Sequence, residues 1–312
     1  MNQPDEIERI IGEFAEGLYQ ALKAAFETTR GEIDVQQLAE AFASGDDQAI
    51  EDALGIASES LRQNIDQGTA GLFAEAFTGA AIMAATILGY PAHKLGTIAL
   101  VVRDNLRFTL AAELAKIDVP GFKGTASLLL ATGEKPQIIA DYIARNIGLS
   151  EPQRKSLDKF RNVLTKAQQT GTTKLSVREL RSLNASQRSI LSKALRQGVD
   201  DETVRELTRR QLKQMQAHRL FTTADTLGRK LVQLGQQAMW EQLERNGLIN
   251  GYRRYWVHAG DERVRTTHRA IPADNKGGRG LQEPFQTPLG PAHTPPLEIN
   301  CRCRVELRKP TQ

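Results

Sequence analysis

The chain has 312 residues, of which 40% are hydrophobic, 25% are charged and only 5% are aromatic, and its formal net charge is +4. This composition is typical of a mostly helical protein rich in alanine and leucine, and it argues against a β-sandwich. Two cysteines cannot form a disulfide framework, and the N-terminus has neither the basic nor the apolar stretch of a secretory signal, so we expect a reducing intracellular environment.

The charges are distributed unevenly along the chain. Residues 1–68 contain 15 Asp and Glu against 4 Lys and Arg, whereas residues 251–312 contain 11 Lys and Arg against 6 Asp and Glu. An acidic head on a basic body predicts different neighbours at the two ends, with nucleic acid as a candidate for the basic part. The alternative is that these charges are ordinary solvated helix faces.

The first 145 residues are predicted to be helical. Apolar residues from Ile7 to Ala25 recur at the helical period, which predicts an amphipathic helix over 5–28. Further helical stretches are predicted over 33–66, where the helices are short and acidic, and over 69–89, 94–117 and 135–147, with a break at 118–124. Residues 69–90 are nearly long enough to span a bilayer, but Glu75 lies among them, so we expect a buried helix and no membrane partner.

The middle of the chain carries three capping-box signatures. Ser150, Ser176 and Asn184 each stand three residues before a Glu or Gln, a spacing that satisfies the free N–H groups of a helix start. Residues 167–173 are the best candidate for a linker. A long helix is then predicted over 201–247, broken near 221–225 and ended by Gly247, with one apolar face formed by Leu227, Leu231, Leu234 and Ala238.

The character of the sequence changes at about residue 250. Residues 252–271 are aromatic and β-prone, and residues 272–300 contain six of the twelve prolines and four glycines. The last predicted strand is 303–308. The predicted fold is therefore mainly α, in three parts: an acidic helical region (1–145), a second helical region (146–250) and a small α+β module with a long Pro/Gly-rich loop (251–312).

Both cysteines fall in one C-x-C pair, Cys301 and Cys303. Thiolates and imidazoles are the ligands that Zn²⁺ prefers, so these cysteines and His268 form a candidate metal site that would close the Pro-rich loop. For a fourth ligand the candidates are Asp261, His258 and His293, in that order. Without a metal, the same segment could be held by Asp261–Arg263 or Asp261–Arg302 ion pairs and by the buried indole of Trp256.

The same residues carry a family resemblance. Trp256, "DERVRTTH" (261–268), "EPF" (283–285), "PLGPAHTPP" (288–296) and "NCRC" (300–303) resemble the pattern of the phage Mu protein F-like family of minor head proteins. The resemblance covers residues 146–306 and marks four positions as structural: Trp256, Arg263, Asn300 and Arg302. Many family members have a Cys where this chain has Arg265, so the full Cys/His quartet is absent here.

The resemblance implies a structural role in head morphogenesis. Such proteins are present in few copies in the virion, at the portal vertex and the capsid interior, and in the host cytoplasm during assembly. The implied partners are the portal protein and the major capsid or scaffold protein, with non-specific contact to packaged DNA in some members. "YRRYW" (252–256) could stack on single strands, but we interpret it as a core strand with an Arg-bearing outer face.

A metal-dependent nuclease or hydrolase that uses His268, Cys301 and Cys303 is the alternative function. Nuclease chemistry of the HNH type needs a metal and a general-base histidine on a ββα unit. After His268 the sequence predicts only a Pro/Gly loop and no helix. We therefore expect that the protein is not an enzyme.

Overall fold

The computed structural model describes residues 3–90, 101–115, 126, 135–172 and 174–309. These residues form ten helices and two strands, which confirms the prediction of a mainly α fold. In chain order the elements are α1 (Gln3–Glu32), α2 (Val35–Ser44), α3 (Asp47–Ile87), α4 (Val101–Leu114), α5 (Pro136–Asn146), α6 (Glu151–Thr170), α7 (Val177–Ser182), α8 (Ala185–Gln197), α9 (Asp201–Arg245), β1 (Arg253–Val257), α10 (Thr266–Asp274) and β2 (Arg304–Arg308).

The helix α3 is longer than the sequence predicts. Its start is fixed by Asp46, whose carboxylate accepts the backbone N–H groups of Gln48 and Ala49 at 2.9 and 3.2 Å. The helix then continues unbroken to Ile87, and no proline follows until Pro91. The predicted boundary, which separated short acidic helices from another helix that begins at residue 69, is therefore wrong. By length and composition alone α3 could cross a bilayer, and 39% of its most apolar window is buried. The predicted break at 118–124 and the start of the predicted helix at 94–100 lie outside the described residues.

One compact unit combines three segments of the chain: Met1–Ala25, Arg62–Glu113 and Leu220–Gln312. Its core includes the edge-to-face pair Phe14–Phe73, with ring centroids 5.3 Å apart. Gly235 permits a close helix approach, because a Cβ atom there would lie 2.7 Å from the carbonyl oxygen of Phe77. This unit contains the C-terminal residues that carry the site.

The second compact unit consists of Phe26–Leu61 and Leu114–Arg219. All three predicted capping boxes are present in it. In each, the side chain of the third helical residue accepts the N–H of the cap residue, at 3.1 Å for Ser150, 2.8 Å for Ser176 and 3.1 Å for Asn184. The predicted linker lies where α6 ends, at the left-handed Gly171 with φ of 60°. The predicted division at residues 145 and 250 stays a prediction.

Helix α9 runs unbroken through residues 221–225, so the predicted break there is wrong. That segment contains no glycine or proline, and the Thr226 hydroxyl donates to the Thr222 carbonyl oxygen at 2.8 Å, an interaction that a helix accommodates. Of the four residues predicted to form the apolar face, only Leu231 is fully buried. The buried face also carries polar side chains, namely Thr226, Gln233, Gln236 and Gln237.

The two strands form an antiparallel sheet in which Trp256 pairs with Val305. Burial alternates along β1, and the inward residues are Arg254 and Trp256. The expected Arg-bearing outer face is therefore right for Arg253 but wrong for Arg254, which is 0% exposed. The helix α10, which contains Pro272, was not predicted. The proline lies in the last turn of this nine-residue helix, so it interrupts few of the helical hydrogen bonds. Just beyond the helix, the Asn275 side-chain amide donates to the Ile271 carbonyl at 2.8 Å.

Candidate metal centre

Two chain segments separated by the Pro-rich loop bring the predicted ligands together. The helix α10 carries His268, and the chain returns through Cys301 and Cys303 immediately before β2. All three side chains are buried, with exposures of 2%, 2% and 5%. Their ligand atoms all lie within 4.8 Å of one another, which makes them a group that could hold a metal ion.

The distances within this group fit a tetrahedral zinc site. His268 Nδ1 lies 3.5 Å from Cys301 Sγ and 3.7 Å from Cys303 Sγ. With Zn–S bonds of about 2.3 Å and Zn–N bonds of about 2.0 to 2.1 Å, tetrahedral angles place N and S ligand atoms about 3.6 Å apart. The protein thus holds the imidazole nitrogen at nearly the separation from each thiol sulfur that zinc requires.

Glu298 is a functional residue that the sequence did not reveal. Its carboxylate lies 3.1 Å from His268 Nε2, the ring nitrogen that faces away from the thiols. A carboxylate on the outer nitrogen of a histidine fixes the tautomer that leaves the other nitrogen free to bind metal. Arg265 holds the same carboxylate from 3.6 Å and also donates to the carbonyl of Ile299 at 2.9 Å. The only signal was an acidic residue three positions before Cys301.

The two thiols differ in how readily they lose a proton. A hydrogen bond from the Cys303 thiol lowers the pKa of Cys301, with further help from backbone N–H groups. The same hydrogen bond, together with burial, raises the pKa of Cys303, while the indole N–H of Trp256 works in the opposite direction. The pair therefore gives up one proton easily and the second only with difficulty. A divalent cation is the partner that would stabilise both thiolates.

The three candidates for a fourth ligand lie elsewhere. The Asp261 carboxylate is bound by the Arg302 guanidinium, which lowers its pKa, and also accepts the Arg263 backbone N–H at 3.1 Å. His258 Nδ1 accepts the N–H of Gly260 at 3.0 Å, and the His293 side chain is exposed. Within the described part of the chain, the group that could bind a metal contains three residues. The Asp261–Arg302 pair is the contact predicted for a chain without metal.

Arg254 organises the Pro-rich loop from inside. Its guanidinium donates to the carbonyl oxygens of Gly280 at 3.1 Å, His293 at 2.8 Å and Glu283, and to Gln237 Oε1 at 2.9 Å. It also lies over the Phe285 ring, 5.0 Å from the centroid. One cation thus binds three separate points of the loop and ties them to α9.

A polar stripe on α9 supports the same module. Thr226 accepts the Asn300 N–H at 3.0 Å, Gln233 accepts the Val305 N–H at 2.7 Å, and Gln237 donates to the Leu281 carbonyl at 2.7 Å. The Lys230 ammonium group donates to the Thr294 hydroxyl at 2.9 Å and to the Thr294 carbonyl oxygen at 3.0 Å. These positions recur every three or four residues on one helix face. Asn300 has φ of 64°, a left-handed conformation that Asn tolerates.

The fold and the site define a mainly helical protein whose C-terminal part holds a buried His/Cys/Cys group that could bind a metal. A family model described as "Phage Mu protein F like protein" matches residues 187–306, and this confirms the resemblance drawn from the motifs. This part of the chain is similar to that family. No curated protein and no solved structure matches the chain. That family is one of structural head proteins, and the match suggests a phage head-related, virion-associated protein.

Proposed function

We propose that the protein is a minor head protein that acts in head morphogenesis and that its C-terminal module is closed by a structural zinc ion. The observation that supports the zinc proposal most is the arrangement of His268, Cys301 and Cys303, with thiol sulfurs 3.5 and 3.7 Å from the imidazole Nδ1. Zinc would join α10 to the start of β2 and hold the Pro-rich loop between them closed. When bound, zinc would form bonds to two thiolates and one imidazole, and the free energy of these bonds would stabilise the folded module.

A structural role for the site is favoured over a catalytic one. A structural zinc is usually held by four protein ligands, and a catalytic zinc by three with one position open to water or substrate. The site here has three ligands, but they are at most 5% exposed, so water and substrate have little access to it. Both ring nitrogens of His268 face partners, the thiols on one side and Glu298 on the other. His268 is thus poorly placed to act as a general base.

The alternative of a metal-dependent nuclease or hydrolase has gained one supporting observation. The sequence predicted no helix near His268, and this counted against a nuclease. In the structure, His268 lies on the helix α10. A nuclease assay on the full chain with added Mg²⁺, Mn²⁺ or Zn²⁺ tests this function. We expect no cleavage above background, and cleavage that is lost in His268→Ala would refute the structural role.

The proposed partners are the portal protein and the major capsid or scaffold protein, with a few copies in each virion at the portal vertex or capsid interior. The acidic region 1–68 is the proposed docking region because an acidic surface favours a basic partner. Deleting this region is not a suitable test, since it contributes the buried core residues Leu18, Leu22 and Leu54. Substitution of exposed carboxylates keeps the fold and changes only the charge.

The docking experiment compares two sets of three exchanges to glutamine. The first set changes exposed carboxylates in the acidic region: Glu16, Glu27 and Glu40. The control set changes exposed carboxylates outside it: Glu202, Glu206 and Glu262. We expect the first set to lower incorporation into procapsids several-fold and the control set to leave it unchanged. Equal incorporation by both sets would contradict docking through residues 1–68, and absence of the wild-type chain from particles would contradict the head function itself.

A further inference from the structure

The segment 151–197, which forms α6, α7 and α8, is strongly basic. It contains 11 Lys and Arg against 3 Asp and Glu. Nine of the cations are exposed: Lys155, Lys159, Lys166, Lys174, Arg178, Arg181, Arg188, Lys193 and Arg196. Of the three carboxylates, only Glu151 is exposed to the same degree. The positive charge is thus concentrated at the surface of this segment.

Six of these cations lie on or beside the short helix α7, two of them, Arg178 and Arg181, within it. Lys155 and Lys159 of α6 line a shallow depression together with Ser182, the last residue of α7. Further along α6, Lys166 binds Glu179 of α7 at 2.6 Å. At the other end of α7, Arg188 donates to the carbonyl oxygens of Leu180 and Leu183, at 3.3 and 3.0 Å. The set we call the α7 basic surface is Lys155, Lys159, Lys166, Arg178, Arg181 and Arg188.

The carboxylates within this surface do not cancel its charge. Glu151 pairs with Lys155, and Glu179 pairs with Lys166. Among the ion pairs of the described residues, none involves Lys159, Arg178 or Arg181. These three exposed cations are free to bind an anion without first breaking an ion pair.

We propose that the α7 basic surface binds the phosphate backbone of double-stranded DNA without sequence preference. Lys155 and Lys166 are eleven residues apart on α6, which corresponds to roughly 16 Å along the helix axis. Duplex DNA carries one charge per about 1.7 Å when both strands are counted, so that length spans about five phosphates of each strand, and a row of lysines can face several of them. Backbone contacts of this kind position a protein on DNA but read no bases.

The composition of the surface favours a duplex over a single strand or an acidic protein. Phe160, the only aromatic residue in 151–197, is 0% exposed, so the surface has no platform for stacking unpaired bases. The apolar side chains exposed on α7 are Val177 and Leu180, neither of them an aromatic anchor of the kind that dominates protein interfaces. The basic surface follows from the structure alone. The choice of DNA among possible polyanions rests on the proposed head function.

The test measures binding of the full chain to a 30-base-pair duplex of random sequence by fluorescence anisotropy over a range of salt concentrations. The test variant combines Lys159→Gln, Arg178→Gln and Arg181→Gln, which leaves Arg188 to cap α7. The matched control removes three exposed cations of α9 instead: Arg209→Gln, Arg210→Gln and Lys213→Gln. Circular dichroism verifies that both variants keep the helical content of the wild-type chain.

We expect the wild-type chain to bind the duplex and the test variant to lose ten-fold or more in affinity at 100 mM salt. Each phosphate contact contributes about −0.9 to the slope of log K against log salt, so the slope should become shallower by about 2 to 3. The control should stay within about two-fold of wild type. Equal losses in both variants would overturn the proposal, because binding would then follow net charge.

Other results would also overturn it: no duplex binding by the wild-type chain at 50 mM salt, tighter binding to a single strand, or full competition by polyglutamate at equal charge, which would point to an acidic protein. Incorporation of the chain into particles is measured separately. It distinguishes a failure of the DNA-binding proposal from a failure of the proposed head function. A test variant that enters particles normally but does not bind DNA would leave the head function intact.

Discussion

Replacing Arg254 by methionine tests how the C-terminal module is held together. Arg254 is 0% exposed, and its guanidinium makes four hydrogen bonds, three to loop carbonyls and one to Gln237. Burial lowers its pKa to about 10, so the side chain remains charged at neutral pH. Methionine fills a similar volume but leaves three of those acceptors without a donor, because the Gly280 carbonyl also accepts the Glu283 N–H at 3.2 Å.

The magnitude follows from the acceptors left unpaired. Each buried acceptor without a partner costs about 1 to 3 kcal/mol, and part of this cost is recovered because the cation no longer has to be desolvated. We expect Arg254→Met to lower the free energy of unfolding of the module by about 3 to 5 kcal/mol. Arg254→Lys should lie between wild type and methionine, since a single ammonium group cannot reach acceptors on opposite sides of a guanidinium.

Tryptophan fluorescence during urea unfolding is a suitable assay because both tryptophans, Trp240 and Trp256, belong to the core cluster of this module. The matched control is Arg253→Met, the neighbouring arginine on the outward face of β1, whose side chain is 42% exposed. The control should cost less than about 1 kcal/mol. Equal effects of the two substitutions would refute the idea that Arg254 organises the loop.

Three further predictions concern the same unit. Glu298→Gln should weaken zinc binding by about 10- to 100-fold in a chelator competition, while Glu262→Gln leaves it unchanged; equal affinities would remove Glu298 from the site. Gln233→Met should lower unfolding free energy by about 1 to 3 kcal/mol because the Val305 N–H loses its acceptor, and no loss on urea unfolding would contradict that role. Gly235→Ala should cost about 1 to 3 kcal/mol through a clash with the α3 backbone; a neutral result in thermal unfolding would argue against the close approach.

The sequence predicted the parts of the site that depend on ligand chemistry. Cys301, Cys303 and His268 could be grouped because soft donors in a cysteine-poor chain are informative by residue type alone. Asp261 was the first choice for a fourth ligand, but its carboxylate binds Arg302. Whether a carboxylate binds a metal or a nearby arginine depends on the path of the backbone, which composition and spacing do not determine.

Arg254 was misassigned although the sequence contained a relevant signal. Side chains two residues apart in a strand point to the same face, so a buried Trp256 places Arg254 inside as well. The sequence-based prediction placed Arg254 on the outer face because arginine side chains are usually exposed. Glu298 and the polar stripe of α9 were out of reach, because their partners are ring nitrogens and backbone groups of a loop that has no periodic pattern.

Helix boundaries were predictable where local chemistry determines them. The three capping boxes and the left-handed Gly247, two residues beyond the end of α9, are local signals, and the structure has them where they were predicted. The break expected at 221–225 in α9 is absent because threonines lower helix propensity only slightly, and packing along a helix this long outweighs such a penalty. Tertiary contacts of this kind are not encoded in a short window.

The most direct test is the metal content of the full chain purified without a polyhistidine tag. The arrangement of His268, Cys301 and Cys303 predicts about one Zn²⁺ per chain by elemental analysis. The ion should be lost when both cysteines are changed to serine and retained in Asp261→Asn. A wild-type chain without stoichiometric metal, or a zinc content that does not depend on the two cysteines, would contradict a zinc-closed C-terminal module.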